Sequence, residues 1–272
     1  MTAPPSHTPV PPPVEPSQEA EQARWEALQR RIEGLRSSVM AATARRGPSA
    51  DPRPPRIIAA AKKHPVEAIR GAFAAGLTDF GENYAQEFQA KHQALNDLDV
   101  RWHFIGALQS NKVKAVVGKA SLVHTVDRPS LLAAIDARAR AIGIVQDTLV
   151  EVNLGAESQK AGVTPNALPD LLEAASACGN LRVRGLMIIP PASDEPERTR
   201  PFFRELRELR DSLVDRWRNR SEGRVVLEEL SMGMSEDFEI AIEEGATMIR
   251  LGTSIFGPRP TSAASRHEHA GS

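Results

Sequence analysis

Short apolar runs and longer amphipathic stretches alternate along most of this chain, and the alternation predicts a repeated strand–helix unit. Ahead of it, Trp25, Leu28, Ile32, Leu35 and Val39 recur at helical steps with charges between them, which predicts a helix from Ser17 onward. The segment RRGPSADPRPP then breaks the pattern. Eight β-rich runs follow: Ile57–Ala61, Asp79–Gly81, Trp102–Gly106, Leu122–Thr125, Thr148–Asn153, Val183–Ile188, Leu227–Met232 and Met248–Gly252.

Helix punctuation separates the runs. Pro65 reads as the first residue of a helix closed by Gly76. Asp127 before Pro129 and Thr164 before Pro165 mark two further starts, with Gly179 closing the second of these helices. Phe202, Leu206, Leu209, Leu213 and Trp217 make one stripe, opposite Arg204, Glu205, Arg207 and Glu208. Ser235 reads as the cap of a short helix whose first turn carries Glu236 and Asp237. Eight strand–helix units predict one α/β domain, a parallel (β/α)8 TIM-type barrel with an extra N-terminal helix. An open doubly wound sheet is the alternative; the lack of a Gly-x-Gly-x-x-Gly turn favours the barrel.

Composition narrows this picture. A chain of 272 residues that is 41% hydrophobic suits a single barrel with a full core. The Pro-rich residues 1–16 and residues 259–272 lack hydrophobic periodicity and are expected to be disordered, leaving 17–258 as the domain. His267 and His269 fall in the second tail and are expected to be solvated, binding no metal. A net charge of −1 gives no footprint for nucleic acid or an anionic membrane. The single cysteine, Cys178, excludes an intrachain disulfide and reads as a small buried residue. With no signal-peptide pattern and no apolar run of spanning length, the expected location is the cytoplasm.

In a barrel of this kind, chemistry gathers where the strands end. The ends are Lys62, Gly81-Glu82-Asn83, His103, His124, Asn153, Met187, Ser231, and Arg250 with Gly252-Thr253. Lys62 follows the apolar run IIAAA, where burial and the neighbouring Lys63 both disfavour a charged amine. A neutral amine is what Schiff-base formation with an aldehyde requires. On this fragment alone, a solvated loop lysine is an equal reading. Lys63 competes for the role, and strand alternation favours Lys62. Ser231-Met-Gly-Met-Ser235 before a helix, together with Gly252-Thr253, predicts an anion site.

The segments AKKHP (61–65), FGENYAQE (80–87), WHFIGALQSNK (102–112), HTVDR (124–128), Val152 to Gly162, RGLMIIPP (184–191) and the long run 230–257 together carry a likeness. Over about residues 20–258 the chain resembles the pyridoxal phosphate homeostasis proteins, also called the alanine racemase N-terminal-like or proline synthase co-transcribed family. The resemblance implies a fold-type III barrel holding pyridoxal 5′-phosphate (PLP) as a Schiff base on Lys62. It implies that Asn83 and Met187 line the cofactor pocket and that Ser231, Ser235, Gly252 and Thr253 hold the phosphate. Arg250 matches an arginine expected near the pyridine ring or phosphate. Ala61, His64 and Ala107 depart from the residues common in the family, and His64 replaces a second lysine.

The resemblance also implies a monomeric, non-enzymatic PLP carrier serving vitamin B6 and amino-acid balance, with PLP-dependent apoenzymes as candidate recipients. Alanine-type racemization needs a second base, contributed by a tyrosine of a separate domain, whereas the one tyrosine here is Tyr84. Two alternatives stay open. One is a slow PLP-dependent racemase using His103, His124 or Tyr84. The other is a cofactor-free lysine aldolase acting on a sugar phosphate.

Overall fold

The computed structural model describes residues 18–47, 52–155, 161–218, 220 and 222–258. The two expected tails, with His267 and His269, lie outside the described residues. In chain order the elements are α1 (Gln18–Ala44), β1 (Arg56–Ala60), α2 (Val66–Ala74), β2 (Asp79–Glu82), α3 (Ala85–Ala94), β3 (Arg101–Phe104), α4 (Val113–Val116), β4 (Leu122–Val126) and α5 (Pro129–Ala141). They continue as β5 (Gln146–Glu151), α6 (Leu168–Ser176), β6 (Leu181–Met187), α7 (Arg200–Arg218), β7 (Val225–Ser231), α8 (Phe238–Glu243), β8 (Met248–Leu251) and α9 (Thr253–Phe256).

The eight strands form a closed parallel barrel in sequence order, β8 returning to β1. Closure decides against the open sheet. Ile58, Leu122, Leu149, Met187 and Met248 fill the interior as one small apolar cluster. A larger cluster joins the outer strand faces to the helices. This division follows strand alternation, since successive side chains point to opposite sides of the wall. The thinnest pairing is between β7 and β8, a single registered pair, Ser231 with Met248.

The extra helix α1 lies on the helices next to β8 and β1. Leu28, Ile32, Leu35 and Val39 are buried as the stripe predicts, and α1 packs on α2, α8 and α9. Arg31 Nε donates to the Ile255 carbonyl at 2.8 Å, and Arg46 Nε to that of Ile242 at 2.8 Å. Among the described residues no helix is long and apolar enough to cross a membrane.

Some expected boundaries move. Gly76 does end the first barrel helix in the left-handed conformation (φ 84°), but Pro65 takes the cap position and the helix starts at Val66. Gly179 is not left-handed, and α6 stops at Ser176. Ser235 does not cap α8. Asp237 is the cap residue, and its Oδ1 accepts the Met234 N–H at 2.6 Å. A carboxylate reaching back three residues satisfies the loop amide, so the helix begins after it.

Candidate functional site

The end of β1 is shaped by backbone bonds. Ala61 N–H still reaches the Gly81 carbonyl at 2.9 Å, continuing the ladder with β2 for one more residue. Lys62 and Lys63 then form a tight turn, closed by His64 N–H to the Ala61 carbonyl at 3.0 Å. Lys63 sits at φ 63°, a region that side-chain-bearing residues rarely occupy. Its N–H donates to Glu87 Oε2 at 3.0 Å, which holds that conformation. The turn sends the two lysines apart: Lys63 is exposed, whereas Lys62 is half-buried. Lys62 Nζ lies 5.3 Å from the Tyr84 ring centroid, a cation–π distance. The expectation that burial strips water from Lys62 is corrected to partial burial, because the turn lifts it clear of the strand.

A buried cluster beneath this turn holds it in place. Lys91 of α3 donates to the Ala61 carbonyl at 2.8 Å, to Glu82 Oε1 at 2.5 Å and to Glu87 Oε2 at 3.2 Å. Burial pushes the Glu82 carboxyl up, with Lys91 pulling the other way. Sequence reading names Glu82 at a strand end without giving it a role, and misses Lys91. The available signal was the Glu87–Lys91 spacing of four, which places a cation over a carboxylate on one helix face.

Across the mouth, β7 and β8 bring Ser231 and Arg250 together. Arg250 is 5% exposed, and its guanidinium donates to Ser231 Oγ at 2.7 Å and to the Ile188 carbonyl at 2.8 Å. Among the described residues no carboxylate forms an ion pair with it within 4.0 Å. Burial pushes Arg250 down to about 10, against the more distant charges of Glu151 and Asp237. Glu151, the last residue of β5, is itself pushed up to about 7 by burial and by Asp127, with Arg250 opposing. Glu151 was also missed, because a glutamate inside a β-rich run reads as an outward-facing residue.

The other expected residues surround these two poles. Met187 ends β6, registered beside Glu151 and Ser231, and is fully buried in the barrel interior. Asn83 follows β2 half-buried, with its backbone so close to Gly106 that a Cβ there would lie 2.1 Å from the Asn83 carbonyl oxygen. Ser235 Oγ accepts the Ser254 N–H at 3.4 Å, joining the turns after β7 and β8. Gly252 is half-buried and Thr253 exposed. A Cβ on Gly252 would meet only Ala60, at 3.5 Å, so this turn lies beside the end of β1. His103 and His124 are buried inside the barrel and hydrogen-bonded, as strand-end histidines generally are. Tyr84 is 48% exposed on the rim.

Residues 51–260 match the profile of the alanine racemase N-terminal domain family. The pyridoxal phosphate homeostasis protein of Aquifex aeolicus (strain VF5) is 51% identical over 204 residues, covering 75% of this chain and 87% of that protein. The structure of PipY from Synechococcus elongatus PCC7942 with PLP bound superposes with a TM-score of 0.72 at 36% identity, over 85% of this chain and all of that one. Alanine racemase from Corynebacterium glutamicum, 15% identical, shares the fold alone, with a TM-score of 0.60 over 88% of this chain and 63% of its own. The chain belongs to the pyridoxal phosphate homeostasis proteins, built on the alanine racemase N-terminal domain fold.

Proposed function

We propose that this protein holds PLP as a Schiff base on Lys62 and serves intracellular PLP homeostasis as a carrier. The observation that carries the reading is Arg250: a buried cation whose hydrogen bonds, among the described residues, go to neutral acceptors, at the same end of the barrel as a half-buried amine. A buried charge is tolerated when something compensates it, and a phosphorylated pyridine supplies both negative charge and a ring lone pair. Gly252 supports the same reading. It has φ −112° and room for a Cβ, so packing within the chain does not demand glycine there. The open approach suits a ligand phosphate against the backbone. Lys62 would hold the aldehyde, Asn83 and Met187 would border the ring, and Ser235, Gly252 and Thr253 would face the phosphate, whereas Ser231, fully buried with its hydroxyl bonded to His124 and Arg250, would act through Arg250. When bound, PLP supplies an electrophilic aldehyde and a conjugated ring.

The carrier role rests on what surrounds Lys62. The amine is only half-buried and the sole tyrosine lies exposed on the rim, so little excludes water from the lysine. In this reading the protein is a cytoplasmic monomer that passes PLP to apoenzymes.

Borohydride reduction of PLP-loaded protein, followed by peptide mass spectrometry, tests the assignment. The expected result is one phosphopyridoxyl group on the peptide containing Lys62, absent from Lys62→Ala. Labelling of Lys63 alone, or an unaltered yield in Lys62→Ala, would overturn it. Absence of any label would instead support the cofactor-free aldolase. One observation favours a second reading, the slow racemase: Glu151 is a carboxyl poised near neutrality among the strand ends, as proton transfer requires. Rapid deuterium uptake at Cα of amino acids, lost in Glu151→Gln, would select that reading.

A further inference from the structure

A line of hydrogen bonds crosses the barrel interior from its lower rim to the mouth. At the rim, Arg101 donates to both oxygens of Asp79, at 3.1 and 2.6 Å. Asp79 Oδ1 lies 3.0 Å from His103 Nε2, and His103 Nδ1 lies 2.9 Å from His124 Nε2. His124 Nδ1 lies 2.9 Å from Ser231 Oγ, which accepts from Arg250 at 2.7 Å. Asp79, His103, His124, Ser231 and Arg250 are all 5% exposed or less, and they come from β2, β3, β4, β7 and β8.

Only one arrangement of protons satisfies this line. Burial opposes a charge on Asp79, but the bonds from His103 and Arg101 outweigh it and hold the carboxyl below its usual range. An ionised carboxylate accepts and never donates. Burial holds both imidazoles below their usual range, against Asp79 in the case of His103 and reinforced by neighbouring cations in the case of His124. Each neutral ring therefore has one N–H to give. His103 gives its Nε2–H to Asp79 and turns a bare Nδ1 toward His124. His124 fills that acceptor with its own Nε2–H and turns a bare Nδ1 toward Ser231. The serine hydroxyl donates to it, and the serine lone pairs are left facing Arg250. The reverse order would need Asp79 to donate.

We propose that Asp79, His103, His124 and Ser231 are positioning residues, a polarised relay that fixes the Arg250 guanidinium against the bound cofactor. The inference rests on the reading of the barrel mouth as a PLP site. The relay sets the plane and direction of the buried Arg250 guanidinium, and Asp79 sets the direction of the relay. An asparagine at 79 would have nearly the same shape, yet its amide could donate to His103 and let both rings turn over. Shape and polarity are thereby separable.

The decisive experiment pairs imidazole nitrogen NMR on cofactor-free protein with PLP titration of wild type, Asp79→Asn and Ser231→Ala. In wild type both rings are expected as neutral Nε2–H tautomers from pH 6 to pH 8. Asp79→Asn should lose that uniformity, and its PLP dissociation constant should rise about tenfold, the loss of one well-placed hydrogen bond. Ser231→Ala should keep both tautomers while weakening PLP to a similar extent, since it cuts the line above the rings. The visible band of bound PLP should shift in both variants. A histidine of the pair found as Nδ1–H, or titrating in that interval, overturns the relay. So does PLP binding in both variants with wild-type affinity and spectrum. Failure of wild type to label at Lys62 overturns the cofactor reading, and with it the target of the relay.

Discussion

The two sides of the barrel mouth solve opposite problems. On the β1–β2 side, Lys62 is held through its backbone: Lys91 and Glu87 bind the turn around it, and the side chain itself is left half-exposed over Tyr84. On the β7–β8 side, Arg250 is held through its side chain, buried and hydrogen-bonded at both terminal nitrogens. In the proposed function, a residue that exchanges covalent partners needs a fixed origin and a free end. A residue that must present a charge needs a fixed end. The contrast teaches that pinning backbone and pinning side chain are distinct tools, used within one rim.

The strongest way to break the contrast is to remove the clamp under Lys62. Lys91→Met leaves the buried Glu82 carboxylate without its cation, and an uncompensated buried charge costs about 3–5 kcal/mol. Denaturant unfolding should register that loss. Lys91→Met/Glu82→Gln should recover much of it, and failure of that recovery would show that the cluster does not act as a charge pair.

A smaller and pH-dependent effect belongs to Glu151. Its carboxyl is raised to about 7 in the fold, so the unfolded chain ionises first as pH climbs and the fold loses stability between about 4.5 and 7. Glu151→Gln removes that loss. It should be more stable than wild type by about 1–3 kcal/mol at pH 8 and indistinguishable near pH 4. A constant difference across that range would contradict the assignment.

The smallest effect sharpens the choice between neighbouring lysines. Lys63→Gly relieves a left-handed φ and should change stability by no more than about 1 kcal/mol. Phosphopyridoxyl labelling of Lys62 should persist, as mass mapping would show.

Much of this was legible in the chain. All eight β-rich runs overlap the barrel strands, because fully buried parallel strands concentrate β-branched and apolar residues. Their edges drifted where a polar residue was satisfied internally. Gln146 opens β5 because its amide donates to the Ala120 carbonyl at 2.9 Å, a partner 26 residues away. Lys62 was preferred over Lys63 by alternation, but the separation comes from the left-handed turn at Lys63, which alternation does not encode. Asp79, Lys91 and Glu151 escaped notice, and Glu82 was named at a strand end without a role, for a shared reason. Each is polar in sequence and buried in space, and groups from other elements face it.

The seam between β7 and β8 ties the order of synthesis to the order of assembly. Ser231 and Arg250 meet across the thinnest pairing in the barrel, and β8 is the last of its strands to leave a ribosome. Lys62 emerges early, in the turn after the first strand, long before the arginine that would sit opposite it. A nascent chain can therefore display the Lys62 amine with no pocket around it. On the proposed site, ligand capture at full strength would wait for the final strand to close the ring, so cofactor loading would also report that the barrel is complete.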